Sequence, residues 1–225
     1  QGKFFNAGQT CIAPDYVLVD HRVHDEFVEE LKKCVTAFYT EEPKRSKDYA
    51  RIIHQKHFNK LKAYLSNGEV AIGGEVDEDE LYIAPTVMVN VDMDSALMCD
   101  EIFGPVLPVI RYSDEAEIVP FVRRYSKPLA MYHFTRNKTL KRKLREQLSF
   151  GGGAVNDTLE HLINPNLPFG GVGVSGLGAY HGKFGFDAFS HAKGVLEKPG
   201  YLDLPLKYPP YTKKLSIIRK MFKIS

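Results

Sequence analysis

Apolar runs of strand length take turns with amphipathic segments of helix length from Tyr16 to Asn156, and this alternation leaves few folds open. Tyr16–Asp20 reads as a strand. Phe27, Leu31, Val35 and Phe38 then recur near helical spacing and predict an amphipathic helix ended by Pro43. A second helix is predicted over 52–67, with Phe58, Leu61 and Leu65 on one face and Gly68 at a left-handed stop. Val70–Ile72, Tyr82–Val91, Pro105–Tyr112 and Leu129–Phe134 read as extended, with the acidic run Glu75–Glu80 as a solvated loop. Ser113-Asp114-Glu115 opens a further helix in which Pro120 predicts a kink or a boundary, and Asn137–Leu148 is a strongly basic helix. Gly151-Gly152-Gly153 leads into Ala154-Val155-Asn156. The whole is the pattern of an α/β protein with a parallel sheet covered on both faces.

Composition narrows the function classes. A formal charge of +2 over 225 residues gives no reason to expect nucleic acid, and 44% hydrophobic with 26% charged residues is a globular balance. No apolar run approaches the roughly 18 residues of a membrane span. Three cysteines without a secretory leader read as reduced thiols, hence a cytoplasmic setting. The chain opens on Gln1 in mid-pattern, which predicts a piece of a longer protein.

Three stretches carry chemistry. In Phe4–Asp15, FFNAGQTCIAPD, Cys11 follows Gly8-Gln9-Thr10 in a turn that enters the first strand. A loop thiol beside exposed backbone N–H groups suits a nucleophile, because such groups stabilise a thiolate and bind an oxyanion. The bland alternative is a small buried hydrophobe. In Asp100–Val106, Glu101 and Phe103 stand two residues apart and, if the backbone is extended, project to one side. Such a pair could hold a ribose and lay a ring on a nicotinamide; otherwise Glu101 is a solvated residue and Phe103 core. Leu167–Gly178 contains a formal G-x-G-x-x-G at Gly171, Gly173 and Gly176, but Asn164-Pro165-Asn166 precedes it where the dinucleotide fingerprint needs a strand. It reads instead as a glycine-rich loop beside a site, with Phe169 as a wall of the substrate pocket. Cys34 and Cys99 read as packed structural residues, and His133 as a hydrogen-bonded core or edge histidine. His161, His181 and His191 are too irregularly spaced for a metal site, and no metal is expected. The five basic residues of Lys138–Arg145 read as a solvated face.

Taken in order, FNAGQTCIAPD, EIFGPVLPVI and PFGGVGVSGLGAYHGKFGFDAFSH resemble the C-terminal half of the aldehyde dehydrogenase superfamily, and the YHGK-F-FD-FSH ending and Lys207–Tyr211 are similar to its class 3 or fatty-aldehyde branch. The resemblance implies the parallel-sheet catalytic domain of that fold over 1–190, a bridging or oligomerisation strand in 191–206 and a basic amphipathic tail over 207–225, with the NAD-binding domain mostly absent. It implies NAD- or NADP-dependent oxidation of an aldehyde to a carboxylic acid. Cys11 matches the family nucleophile, which forms a thiohemiacetal and then an acyl thioester. Glu101 and Phe103 match cofactor contacts, Phe169 matches a position at the substrate end, and His57 falls where many members carry a glutamine near the cofactor. The family's general-base glutamate and second oxyanion donor lie on segments before the nucleophile, so the isolated chain is expected to be inactive.

Beyond the glycine-rich loop, Ala192–Glu197 reads as the bridging strand, and by resemblance the protein forms a homodimer. The last segment, 207–225, holds six basic and no acidic residues with Leu215, Ile217, Ile218, Met221, Phe222 and Ile224 interleaved, a pattern that suits either peripheral contact with an anionic membrane or packing on a neighbouring subunit. On the residues alone two rival readings stand: a cofactor-independent thiol hydrolase built from Cys11 and a histidine, and an inactive remnant that serves only as an interaction module.

Overall fold

The computed structural model describes residues 1–211 and 214–222. The chain divides into two compact units, Gln1–Phe189 and Ser190–Ser225.

In the first unit, strand β1 (Val17–Asp20) is followed by helix α1 (His24–Tyr39). The buried face of α1 runs through Val35 to Tyr39, while Phe38, expected inside, is 54% exposed. Consecutive residues stand about 100° apart on a helix, so with Tyr39 turned inward Phe38 falls to the margin of the buried face at the helix end. Asp25 and Glu26 sit in the first turn, where they complement the helix dipole. Helix α2 (Gln55–Tyr64) is shorter than expected and is capped by the His54 side chain. Gly68 lies outside the positive-φ residues, so it is no left-handed stop; a side chain there would run into Val91.

Next come β2 (Glu69–Ile72), β3 (Val76–Asp77), β4 (Tyr82–Ile83) and β5 (Thr86–Val89). The acidic run is more than a solvated loop. Val76 and Asp77 pair with β4, and Asp77 and Glu80 both bind Lys44 while Glu80 also meets Arg51. After the short helix α3 (Ala96–Cys99) comes β6 (Val106–Tyr112), the hub of a four-stranded sheet ordered β1-β6-β5-β2. It runs parallel to β1 and to β5, whereas β2 is antiparallel to β5. The main sheet is therefore mixed at one edge. Residues 106–108 of β6 pair with β5 and residues 109–112 with β1, so Pro108 stands at the hand-over, where its missing N–H is least costly.

Helix α4 (Ile118–Arg124) begins later than Ser113–Glu115 suggested, and Pro120 falls in its first turn, where no intrahelical donor is needed. β7 (Ala130–His133) and β8 (Gly152–Val155) form a separate parallel pair around α5 (Lys138–Gln147). Asn137 caps α5, accepting from the N–H groups of Thr139 and Leu140. The main core gathers Phe58, Leu61, Ile83, Val87, Met88, Ile102 and Val106; a smaller one gathers Ile118, Val119, Leu140, Leu144 and Leu148. Helix α6 (Gly182–Ala188) closes this unit.

In the second unit, 191–199 carries no regular secondary structure, so the bridging strand read at Ala192–Glu197 is not formed. A strand requires a partner for its ladder, and among the described residues none pairs there. Helix α7 (Leu215–Phe222) follows. Thr212, Lys213, Lys223, Ile224 and Ser225 of the expected tail lie outside the described residues. Among the described residues no helix is long and apolar enough to cross a membrane.

Candidate active site

The site begins with an unusual backbone. Asn6, Ala7 and Gly8 all have left-handed φ, at 51°, 50° and 72°. For Ala7 this conformation costs about 1–2 kcal/mol, so neighbouring groups must hold it. The Gln9 amide does so at three points. Its Nε2 donates to the carbonyls of Asn6 (3.1 Å) and Arg51 (3.0 Å), and its Oε1 accepts from Ile53 N–H (3.0 Å). The segment before α2 is thereby latched to the loop that presents Cys11.

Cys11 is exposed in a turn closed by Ala13 N–H on the Thr10 carbonyl at 2.9 Å. Ile12, only 2% exposed, anchors the turn from the other side. Its carbonyl accepts from the Tyr132 hydroxyl at 2.9 Å, which ties the end of β7 to the thiol loop. Burial, with the nearby Cys11 adding to it, pushes the Tyr132 phenol up to about 12. Cys34 and Cys99 are exposed as well, against the packed role expected of them; Cys34 lies off the buried stripe of α1, and Cys99 ends α3.

The second chemical stretch lies directly against the first. A β-carbon at Gly8 would collide with the carbonyl of Gly104, so the backbones touch where only glycine fits. Asp15 Oδ1 accepts from Ile102 N–H at 3.2 Å. Beneath them Lys3 is 5% exposed, and its Nζ has no hydrogen-bond partner among the described residues. Burial lowers the Lys3 ammonium to about 8, against the pull of Asp15 and Glu101. Burial likewise raises the Asp15 carboxyl, and partial desolvation followed by the neighbouring Asp15 charge raises that of the more exposed Glu101. The sequence offered no signal for Lys3, whose neighbours are distant in the chain.

Glu101 is exposed and Phe103 is 36% exposed, but the extended geometry expected of the pair is absent. Phe103 has φ 50°, so the alternation of a strand does not govern where its ring points. Helix α2 grips this loop along one face. His57 Nε2 lies 2.7 Å from the Phe103 carbonyl oxygen, Lys60 Nζ donates to the Glu101 carbonyl at 3.0 Å, and the Tyr64 hydroxyl donates to Asp100 Oδ2 at 3.1 Å.

Phe169 reaches the same region through rings. Tyr132 meets His161 at 5.7 Å between centroids, His161 meets Phe169 at 6.1 Å, and Phe169 stacks on His181 at 5.8 Å. Phe169 and Tyr180 exchange both backbone hydrogen bonds at 2.9 Å, closing the glycine-rich segment into a loop. His161 is 8% exposed with neither ring nitrogen partnered among the described residues, and burial lowers its pKa, favouring the neutral ring. His133 is buried against Phe150, but its Nε2 has no partner among the described residues, contrary to the hydrogen-bonded role expected. Among the described residues no histidine hydrogen-bonds the Cys11 thiol, and no group of three or more His, Cys, Asp or Glu is placed to hold a metal ion.

The model of the aldehyde dehydrogenase family matches residues 1–195. The chain is 46% identical over 224 residues to the 4,4'-diaponeurosporen-aldehyde dehydrogenase of Staphylococcus aureus, covering 99% of this chain and 49% of that protein. It is 45% identical over 216 residues to the dimeric NADP-preferring aldehyde dehydrogenase of Rattus norvegicus, covering 95% of this chain and 48% of that one. Its fold matches the solved substrate-bound state of Staphylococcus aureus AldH with a TM-score of 0.93 at 45% identity, over 98% of this chain and 49% of the other. The chain thus spans about half the length of these relatives.

Proposed function

The chain belongs to the aldehyde dehydrogenase family, and from that premise we propose that it carries the nucleophile side of a site that oxidises aldehydes to carboxylic acids with NAD or NADP. The observation that carries this reading is the backbone contact of the Cys11 loop with the Glu101–Phe103 loop, through Gly8 on Gly104 and Asp15 on Ile102. A nucleophile and a cofactor cradle must meet within a few ångströms for the reaction to proceed, and here the two loops share one rigid seam.

The residues present fit the nicotinamide end of a dinucleotide. Glu101 offers an exposed carboxylate to ribose hydroxyls, and Phe103 offers a half-exposed ring on a loop held at fixed carbonyls. When bound, the dinucleotide supplies the hydride acceptor of the oxidation. The Cys11 thiolate adds to the aldehyde carbonyl, giving a thiohemiacetal, and the Cys11 N–H stabilises the oxyanion as it forms. After oxidation Cys11 holds the acyl group as a thioester. Water then releases the acid with the help of a positioned base, which we assign to the half of the relatives' length that this chain does not span. Phe169, stacked on His181, forms an apolar wall for the substrate, and medium or long-chain aliphatic and aromatic aldehydes suit it. The working unit is a homodimer.

Trapping tests the reading. The longest coding product that contains this chain, mixed with a fatty aldehyde and NAD or NADP and quenched in acid, is expected to gain the mass of one acyl group on the peptide bearing Cys11. An acyl group on another residue, or none, contradicts it.

A further inference from the structure

The loop that carries Glu101 and Phe103 has no ladder to hold it. Residues 101–103 lie outside every helix and strand, and Phe103 takes a left-handed backbone that a side chain with a β-carbon enters only when its surroundings impose it. The group placed to impose it is His57. Its Nε2 stands 2.7 Å from the Phe103 carbonyl oxygen, and since a carbonyl only accepts, Nε2 carries the proton and donates. The imidazole also meets the Phe103 ring edge-on, with centroids 6.3 Å apart. His57 is itself fixed, because it lies in the first turn of α2 and its N–H donates to His54 Nδ1 at 3.1 Å. One turn on, Lys60 holds the Glu101 carbonyl, and Leu61 closes on Gly104.

We propose that His57 is a positioning residue for the cofactor loop: its hydrogen bond to the Phe103 carbonyl holds the backbone that aims the Phe103 ring and the Glu101 carboxylate. This rests on the reading of Glu101 and Phe103 as cofactor contacts, and it adds the group that sets their geometry. His57 acts through the loop and need not touch the dinucleotide.

Two variants separate the hydrogen bond from the ring. His57→Phe keeps an aromatic ring and loses the donor; His57→Gln restores a side-chain N–H at similar reach. In the longest coding product containing this chain, without cofactor, His57→Phe is expected to speed amide exchange across 101–104 by about two- to tenfold, the range of one hydrogen bond, with β6 unchanged. It is expected to raise KM for NAD or NADP by a similar factor while kcat moves less, and His57→Gln is expected to reverse both effects. Unchanged exchange at 101–104 in His57→Phe overturns the proposal, as does His57→Gln behaving like His57→Phe. Glu101→Gln, measured alongside, separates the layers. If it raises KM while His57→Phe loosens the loop without moving KM, the positioning role is wrong and the cofactor reading stands. If neither moves KM, the cofactor reading falls and takes the positioning role with it.

Discussion

The Tyr132 hydroxyl donates to the carbonyl of Ile12 at 2.9 Å across 120 positions of sequence, joining the end of β7 to the residue that follows Cys11. Both ends are held: Ile12 is buried, and Tyr132 packs on His161. The bond makes the cysteine turn part of the strand scaffold. Tyr132→Phe, which removes the hydroxyl and keeps the ring, is expected to cost about 0.5–1.5 kcal/mol of stability. The Cys11 turn should loosen, so Cys11 should alkylate faster with iodoacetamide while Cys34 and Cys99 keep their rates. Peptide mass spectrometry over a time course reads all three, and equal rates at Cys11 in both proteins would contradict the role given to this bond.

Gly8 is the seam between the two chemical loops. It has φ 72°, and a β-carbon there would overlap the Gly104 carbonyl. Gly8→Ala therefore combines a left-handed penalty with a steric one and is expected to lower stability by more than about 2 kcal/mol. Urea unfolding measures it. A change within experimental error would mean that the loops are not in backbone contact.

Lys3 should give stability a distinctive pH profile. Burial holds its folded-state pKa down at about 8 against a normal value of 10.5. Between those pH values the unfolded chain binds the additional proton, so this group makes stability rise with pH. Below about pH 8 the lysine is charged in both states and its full penalty is present. Lys3→Met should raise stability at pH 7 and flatten the rise between pH 8 and pH 10.5. Chemical denaturation across that range tests the sign, and a steeper rise in the variant would be the wrong outcome.

Helix α7 exposes Leu215, Ile217, Met221 and Phe222 alongside Arg219 and Lys220. Such a helix is expected to bring the protein down with vesicles containing anionic lipid at low salt, and much less so with zwitterionic vesicles or at high salt. Arg219→Glu with Lys220→Glu should abolish the effect. Equal recovery with both vesicle types would exclude the electrostatic part of the reading.

What could be read from the chain was whatever local pattern dictates. The order of strands and helices follows from apolar spacing, and Cys11 stands out because Gly8 and Pro14 frame it as a loop thiol. Side-chain partners distant in sequence were not legible. Gln9 reads as a polar loop residue until its amide is seen bridging Asn6, Arg51 and Ile53. The extended geometry that local sequence suggests for Glu101 and Phe103 is not the one adopted, since the left-handed turn at Phe103, gripped from α2, has no mark in the local sequence. The strand at Val70–Ile72 is legible but its antiparallel direction is not, because so short a run carries no sign of which way it pairs. Exposure at Cys34 and Phe38 is not legible because apolar character sets only a preference, while the turn of the helix decides which residue faces inward, and Cys99 is exposed because α3 ends there.

We propose Cys11 as the nucleophile of an aldehyde oxidation. The most direct measurement is aldehyde-dependent formation of NADH or NADPH by the longest coding product containing this chain, beside its Cys11→Ala variant. The expected result is turnover in the parent and none above background in the variant. Turnover that survives the loss of Cys11, or thioester hydrolysis that proceeds without any dinucleotide, would contradict the assignment.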